Sequence, residues 1–353
     1  MPVFVGAGTS SFMKSTDGVS FSRINTSTRD GLSGMVTGQV IYNTTSSRLE
    51  VYNGSSWVAV SVQPVTASGG NSVTTSGSFK IHKFTSPGTF TVASGETTDA
   101  KYLIVAGGGG GGGDNSGGGG AGGLNYKASV SLTPGSYPIT IGSGGNGSPN
   151  TNQNASNGGD SSIGGAINIT SDGGGKGGTG NGGSNYNGGT GGSGGGAAGE
   201  TAANPNAIGT GTGDSGHPGG IDQQSPPNGW GNNGGVNSPG GGGGGGGAYQ
   251  VGSNAPSNTV GGAGGDGARY TISGSTEYYA GGGGAGNENN VPSPVPSGGQ
   301  GGGGSMNYDH PNKPAAANGD DGYGGGGGGG THNTSGVTGG NGGSGVVIIA
   351  YPA

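Results

Sequence analysis

The chain has 353 residues, of which 101 are glycine, 26% hydrophobic and only 8% charged, with a formal net charge of -6. Average usage near 7% would give roughly 25 glycines, and so small an apolar fraction excludes a conventional oily core large enough to organise the whole length. The absence of any Lys or Arg run excludes the electrostatic footprint of a nucleic-acid binder, and the absence of cysteine excludes disulfides and thiolate metal sites.

The opening residues, Met1-Pro2-Val3-Phe4-Val5-Gly6, carry neither the basic region nor the long apolar run of a secretory signal. No segment approaches the roughly 20 apolar residues needed to span a bilayer. A soluble protein made in the cytoplasm, without membrane insertion, is the expectation. Residues 1–63 are ordinary in glycine content and alternate as strands do. Within them, Gly38-Gln39-Val40-Ile41-Tyr42-Asn43 and Arg48-Leu49-Glu50-Val51-Tyr52-Asn53 flank a polar turn, and Asn53-Gly54 leads into Ser56-Trp57-Val58-Ala59-Val60. This predicts a three-stranded meander too small to stand alone, whose apolar face packs against a partner chain. Residues 64–78, rich in Ser, Thr and Gly, are expected to be a linker.

Residues 79–353 form the third predicted part. Phe79 to Phe84 and Thr89 to Val92 read as strands around Ser86-Pro87-Gly88. Lys101-Tyr102-Leu103-Ile104-Val105-Ala106 ends abruptly in Gly107 to Gly113, and Gly345-Val346-Val347-Ile348-Ile349-Ala350-Tyr351 emerges from the last glycine cluster. Two continuous apolar runs of this kind predict neighbouring buried strands of one sheet. Hairpins are expected around Thr133-Pro134-Gly135-Ser136 and Gly274-Ser275, and helix is expected to be nearly absent. The remainder is glycine, with the longest runs at Gly240 to Gly247 and Gly324 to Gly330.

Disorder is the simplest reading of such composition, but disordered chains are normally also rich in charge. Collagen fails because Thr151 to Asn157 contains no glycine while other stretches contain little else. What remains is a bundle of threefold extended helices made of glycine, packed closely enough for bare backbones to exchange N–H and C=O bonds. Ordering each residue costs about 1 to 2 kcal/mol and each bond returns about 0.5 to 1.5 kcal/mol, so the edges must be secured. That role is expected of the strands ending at Ala106 and Tyr351 and of the hairpin near Pro134.

Lys101 to Gly107 with the following glycines, Gly119-Gly120-Ala121-Gly122-Gly123, Thr133-Pro134-Gly135 with Ile139-Thr140-Ile141-Gly142, Asn157-Gly158-Gly159-Asp160-Ser161-Ser162 and Gly345-Val346-Val347-Ile348, in that order, are similar to the glycine-rich domain of phage tail proteins. The resemblance covers roughly Lys80 to Ala353. It extends to the tip adhesins of T-even-like phages, in which glycine-rich stretches form a polyglycine II sandwich and the intervening loops contact the host. The two strand motifs around Tyr42 and around Tyr52 and Trp57 look like a short module of virion fibre proteins, notably those of marine cyanophages. This N-terminus departs from that of the T-even adhesins. The resemblance implies a mainly β and irregular fold with almost no α-helix: an N-terminal β-meander, then packed polyglycine II helices flanked by short strands. It also implies attachment to another tail or fibre protein through the N-terminal module, with Tyr42, Tyr52 and Trp57 as attachment candidates, and a place in the virion at the fibre tip.

A glycine lattice presents no functional groups, so recognition falls to its inserts. The receptor-binding candidates are Tyr186, His217, Trp230, Tyr249, Tyr278, Tyr279, Tyr308, His310, Tyr323 and His332, set among Asn, Ser and Gly as in antibody paratopes. The alternative for each ring is that it caps the lattice or packs on a neighbour. Gly191-Gly192-Ser193-Gly194-Gly195 lacks the strand and helix of a nucleophile elbow, and Gly173 to Gly177 lacks the hydroxyl a phosphate loop needs after Lys176. Gly261 to Asp266 lacks the tandem copies of a calcium-binding repeat, and Asp320-Asp321 is expected to be a solvated turn. No reaction, metal or cofactor is implied. The expected function is a fibre adhesin that binds a host cell-surface protein or glycan, with oligomerisation open. The alternative is a structural or filament-forming virion protein. A polysaccharide depolymerase would need a carboxylate-rich stretch that the sequence lacks.

Overall fold

The computed structural model describes residues 11–14, 20–60, 64–150, 153–180, 186–199, 221–225, 229–288, 295–306, 316–331 and 338–353. The chain divides into two units, Met1–Gln63 and Pro64–Ala353. In the first, β1 (Ser11–Lys14), β2 (Ser20–Ile24), β3 (Val40–Asn43), β4 (Arg48–Tyr52) and β5 (Trp57–Ala59) form one sheet in sequence order. The predicted meander is β3 to β5, antiparallel throughout. β2 adds to it in parallel, the crossover containing α1 (Thr26–Asp30), the only helix among the described residues. This helix begins where the side chain of Asn25 accepts the N–H of Thr28 at 2.7 Å.

Glu50 of β4 is 1% exposed, and a buried carboxylate persists only when it is paired. Arg29 at the end of α1 donates to it at 2.7 Å, Asn43 bonds both its oxygens at 3.1 Å, and Ser46 donates at 3.1 Å. Burial pushes the carboxyl upward, but the bonds from Arg29, Asn43 and Ser46 outweigh it and hold the group at about 2. The cluster therefore ties the crossover helix to the meander.

In the second unit the strands are β6 (Thr66–Ser68), β7 (Ser72–Ser76), β8 (Phe79–Phe84), β9 (Gly88–Ser94), β10 (Thr97–Val105), β11 (Leu124–Leu132), β12 (Gly135–Thr140), β13 (Ser161–Ile163), β14 (Ile169–Ser171), β15 (Ala268–Tyr270), β16 (Glu277–Tyr279) and β17 (Val346–Pro352). They make one sheet of order β11-β10-β17-β8-β7, a second of order β14-β13-β12-β9-β6, and the hairpin β15-β16. The two apolar runs are adjacent as expected, antiparallel, with Lys101 opposite Ala350 and Val105 opposite Val346.

Their continuous hydrophobicity has a direct cause, since the central sheet is buried on both faces. Tyr102, Ile104, Val347, Ile349 and Tyr351 face Phe90, Val92, Tyr137, Ile139 and Ile163 of the second sheet. Leu103, Val105, Val346 and Ile348 face a second cluster with Tyr270, Tyr279 and Trp230. Two expectations are corrected here. Residues 64–78 are not a linker: β6 and β7 lie in them as outer strands of the two sheets. The turn at Pro134 does not close a hairpin, because β11 and β12 belong to different sheets. The pair β8 and β9 crosses in the same way, so both turns are corners of a sandwich.

Between Ala106 and Gly345 the glycine runs pack as threefold helices. The N–H groups of Gly107 and Gly110 bond Gly159 and Ser156, those of Gly108 and Gly111 bond Gly343 and Gly340, and those of Gly109 and Gly112 bond Gly120 and Gly117. The carbonyls of the same residues accept, again in steps of three, from Gly174 and Gly177, from Gly145 and Ser148, and from Gly327 and Gly330. A repeat of three is that of the polyproline II helix. Three donor directions and three acceptor directions surround the 107–112 helix with a hexagonal set of neighbours. Bonds from Gly118 to Gly243, Gly245 to Gly283, Gly283 to Gly119 and Gly119 to Gly327 continue the lattice at 2.8 to 3.1 Å.

No glycine of 107–113, 242–247 or 325–330 has positive φ. Glycine is therefore needed there for space rather than for conformational freedom. A Cβ on Gly111 would overlap the carbonyl oxygen of Gly328, and one on Gly283 that of Gly327.

Candidate functional site

The lattice has two ends, distinguished by what each helix joins. The 107–112 helix leaves β10 at Ala106, and the 117–122 helix returns to β11 at Leu124, so this near end abuts the sandwich. At the far end the chain reverses through Asp114 and Asn115, with φ of 64° and 41°. Ser116 fastens this reversal, its hydroxyl donating to Gly112 O at 2.7 Å and Gly330 O at 3.1 Å.

The other far-end residues follow from their bonds to this turn and its neighbours. The N–H of Gly180 bonds Gly113 and Asp114, that of Gly199 bonds Asn115, that of Gly286 bonds Ser116, and that of Gly339 bonds Ser148. Ala316 and Met306 bond Thr338 and Pro296, and Glu288 bonds Thr259. Residues flanking 151–152, 181–185, 289–294, 307–315 and 332–337 on both sides, and the residue preceding 200–220, thus gather at one face. The 107–112 helix has three antiparallel neighbours, to which it donates, and three parallel ones, from which it accepts, and each long connection between such helices must emerge at one end or the other.

The predicted site residues are not assembled into one place. His217, Tyr308, His310 and His332 lie outside the described residues; the described flanks of the connections holding Tyr308, His310 and His332 reach the far end, whereas Ile221, which follows the connection holding His217, bridges Arg269 of β15. Tyr186 is half-buried at the far end, where its carbonyl accepts the N–H of Ala198. Trp230 and Tyr279 are 7% and 0% exposed and belong to the core on the outer face of the central sheet. For these two rings the structure supports packing, since a ring without accessible surface offers no contact area.

Tyr323 stacks on Tyr279 with centroids 5.5 Å apart and lies 5.8 Å from the Lys83 ammonium. Tyr278 lies under the Arg269 guanidinium at 5.8 Å. Burial pushes the phenol of Tyr279 up and, to a smaller degree, that of Tyr323. Both remain neutral donors at physiological pH. Tyr249, 40% exposed, bonds Asp266 through its backbone near the sandwich. In the first unit Tyr52 and Trp57 form a tilted ring pair at 5.5 Å, and Tyr42 carries Arg23 over its face at 5.3 Å.

Sequence reasoning missed the residues that seal the lattice flanks. Where a perimeter helix has no neighbour, an Asn or Asp side chain supplies the missing carbonyl. Asn157 accepts the N–H of Lys176 at 2.9 Å and Asp160 that of Gly173 at 2.8 Å. Asn318 accepts from Asn341, and Asp321 from Ser344, both at 2.8 Å. Asn157 and Asp160, like Asn318 and Asp321, are three residues apart, one helical turn. That period was visible in the sequence. Asp320 and Asp321 are exposed and Asp321 opens the turn 321–324, as expected, and from that turn Asp321 also seals the lattice. No group of three or more His, Cys, Asp or Glu that could hold a metal occurs among the described residues.

Residues 85–352 match the glycine-rich domain, well over half of the chain. The chain belongs to the glycine-rich domain family. Residues 9–76 match the phage tail-like trimerisation region. The two matches make this glycine-rich protein a component of a phage tail fibre, with an oligomerising N-terminal region. That region spans the sheet of the first unit and continues through β6 and β7 of the second. No curated protein matches the chain. No helix among the described residues is long and apolar enough to cross a membrane.

Proposed function

We propose that this glycine-rich fibre protein is an adhesin at the fibre tip that binds a host cell-surface protein or glycan, without catalysing a reaction. The observation that carries the reading is the gathering of connection flanks at the far end of the lattice. A rigid body of backbone bonds holds them there, and recognition built on a rigid support loses less entropy on binding. The connections entered at that face contain Tyr308 and His310 in Asn307-Tyr308-Asp309-His310 and His332 in His332-Asn333-Thr334. The surrounding lattice offers only backbone. Tyr42, Tyr52 and Trp57 sit in the trimerising region, which suits attachment of the oligomer to another tail protein.

The test is competition. Purified protein is expected to block adsorption of its phage, and replacing residues 288–297 together with 307–315 is expected to abolish blocking while leaving the melting temperature in place. Protein that assembles into filaments and never blocks adsorption would make it a structural virion protein instead.

A further inference from the structure

β7 is the outer strand of the central sheet, and among the described residues no other segment pairs with its free side. Exposed sheet edges template pairing with other chains, so proteins blunt them with charges, prolines, bulges or covering segments. β7 reads Ser72-Val73-Thr74-Thr75-Ser76, with no charge and no proline, and pairs with β8 in unbroken register from Ser72–Lys83 to Ser76–Phe79. Ser72 through Thr75 are exposed, Val73 to 46%. The other outer strands differ. β11 carries two register shifts, and Trp230 and Ser225 bond its free side at Leu124 and Tyr126. β6 has a shift against β9, and β6 and β14 are three residues each.

The edge is also held rigidly. Gly69 and Gly70 turn between β6 and β7 at φ of 106° and 99°, where a side chain would be strained. The side-chain oxygen of Asn71 accepts the N–H groups of Thr85 and Ser86, and its amide donates to the Ser86 hydroxyl at 2.8 Å. His82 donates from Nδ1 to Gly69 O at 2.6 Å.

We propose that β7 meets a second copy of this chain, so that the trimer contact does not stop at the first unit but extends onto the edge of the second. Two independent observations name the occupant. The match to the trimerisation region ends at residue 76, the last of β7. Of the eight exposed large hydrophobic residues among the described residues, four fall within residues 9–76: Val36, Val58, Val60 and Val73. That segment is under a fifth of the chain, so apolar exposure is concentrated where a trimer interface is indicated. Charge points the same way for an edge placed beside the threefold axis, where like segments of the three copies approach one another and a neutral Ser-Val-Thr-Thr-Ser strand sets up no like-charge repulsion. The contact would bury Val73 of each copy beside the axis and bring like positions of the three β7 strands within reach of one another.

The chain has no cysteine, so Val73→Cys and Thr75→Cys each introduce a single thiol into the full-length protein, with Lys127→Cys on exposed β11 as the comparison. The expected result is a trimer by light scattering in which the thiols at 73 and 75 join neighbouring chains through a short bismaleimide. Both should lose reactivity toward a bulky maleimide that the thiol at 127 retains. A monomeric full-length chain would overturn the proposal. So would a trimer in which the thiols at 73 and 75 both label as freely as that at 127 without joining chains. Thr75→Cys keeps the test decisive if Val73→Cys fails to fold.

Discussion

At the scale of single residues, this protein inverts the usual meaning of glycine. Inside the lattice the backbone sits in a conformation open to any residue, and what forbids a side chain is the carbonyl of the next helix. Gly111→Ala would drive a Cβ into Gly328 O, backbone on both sides with nowhere to yield. Overpacking of this kind costs about 1 to 3 kcal/mol, so Gly111→Ala is expected to lower the melting temperature clearly. Gly88→Ala, whose Cβ would rest 3.6 Å from the Phe84 ring, is expected to change stability by less than about 1 kcal/mol. Equal melting curves for the two variants would contradict a lattice packed backbone to backbone. Composition alone announced that glycine mattered; only the helix-to-helix contacts show which glycines admit nothing else.

Among elements, the strands were the most legible part. Lys101 to Ala106 and Gly345 to Tyr351 could be paired from their apolar runs because a strand buried on both faces has no polar positions to spare. The corner at Pro134 misled, since a turn between two apolar segments reads the same whether it closes a hairpin or carries the chain to a facing sheet. The 64–78 segment misled for a related reason: outer strands can be polar, and Ser and Thr are as frequent there as in linkers.

The perimeter seals were legible in principle, as Asn or Asp recurring every third residue beside glycine. Asp321→Ala removes the acceptor of the Ser344 N–H and is expected to cost about 0.5 to 1.5 kcal/mol. Asp321→Asn keeps a carbonyl oxygen in place and should melt close to the parent. Calorimetry that found the two variants equally destabilised would point to charge rather than to the hydrogen bond.

For the whole molecule, the two units respond to acid in separate windows. Burial pulls the imidazole of His82 below its ordinary 6.5, the Gly69 carbonyl opposing this in part. A base held below its ordinary value contributes stability above that value, which is lost as pH falls through and below it. Glu50, held at about 2 against an ordinary 4.5, contributes above pH 4.5, and this is lost as pH falls toward 2. Acidification should therefore weaken the sandwich first, below about pH 6.5, and the N-terminal sheet only below about 4.5. Calorimetry from pH 8 to 2 should show both declines, with Glu50→Gln flattening the second. A single shared transition insensitive to Glu50→Gln would refute the separation.

By itself the sequence determined the class of the fold, the paired strands that close the glycine-rich part, and the glycine lattice as its organising principle. These depend on local pattern and on the bareness of glycine, and both are written in residue order. The tertiary structure decided which rings pack in the core, that the flanks of several connections gather at the far end, and that 64–78 is sheet edge rather than tether. Those outcomes depend on which helix lies beside which, and runs of identical glycines carry no record of their neighbours.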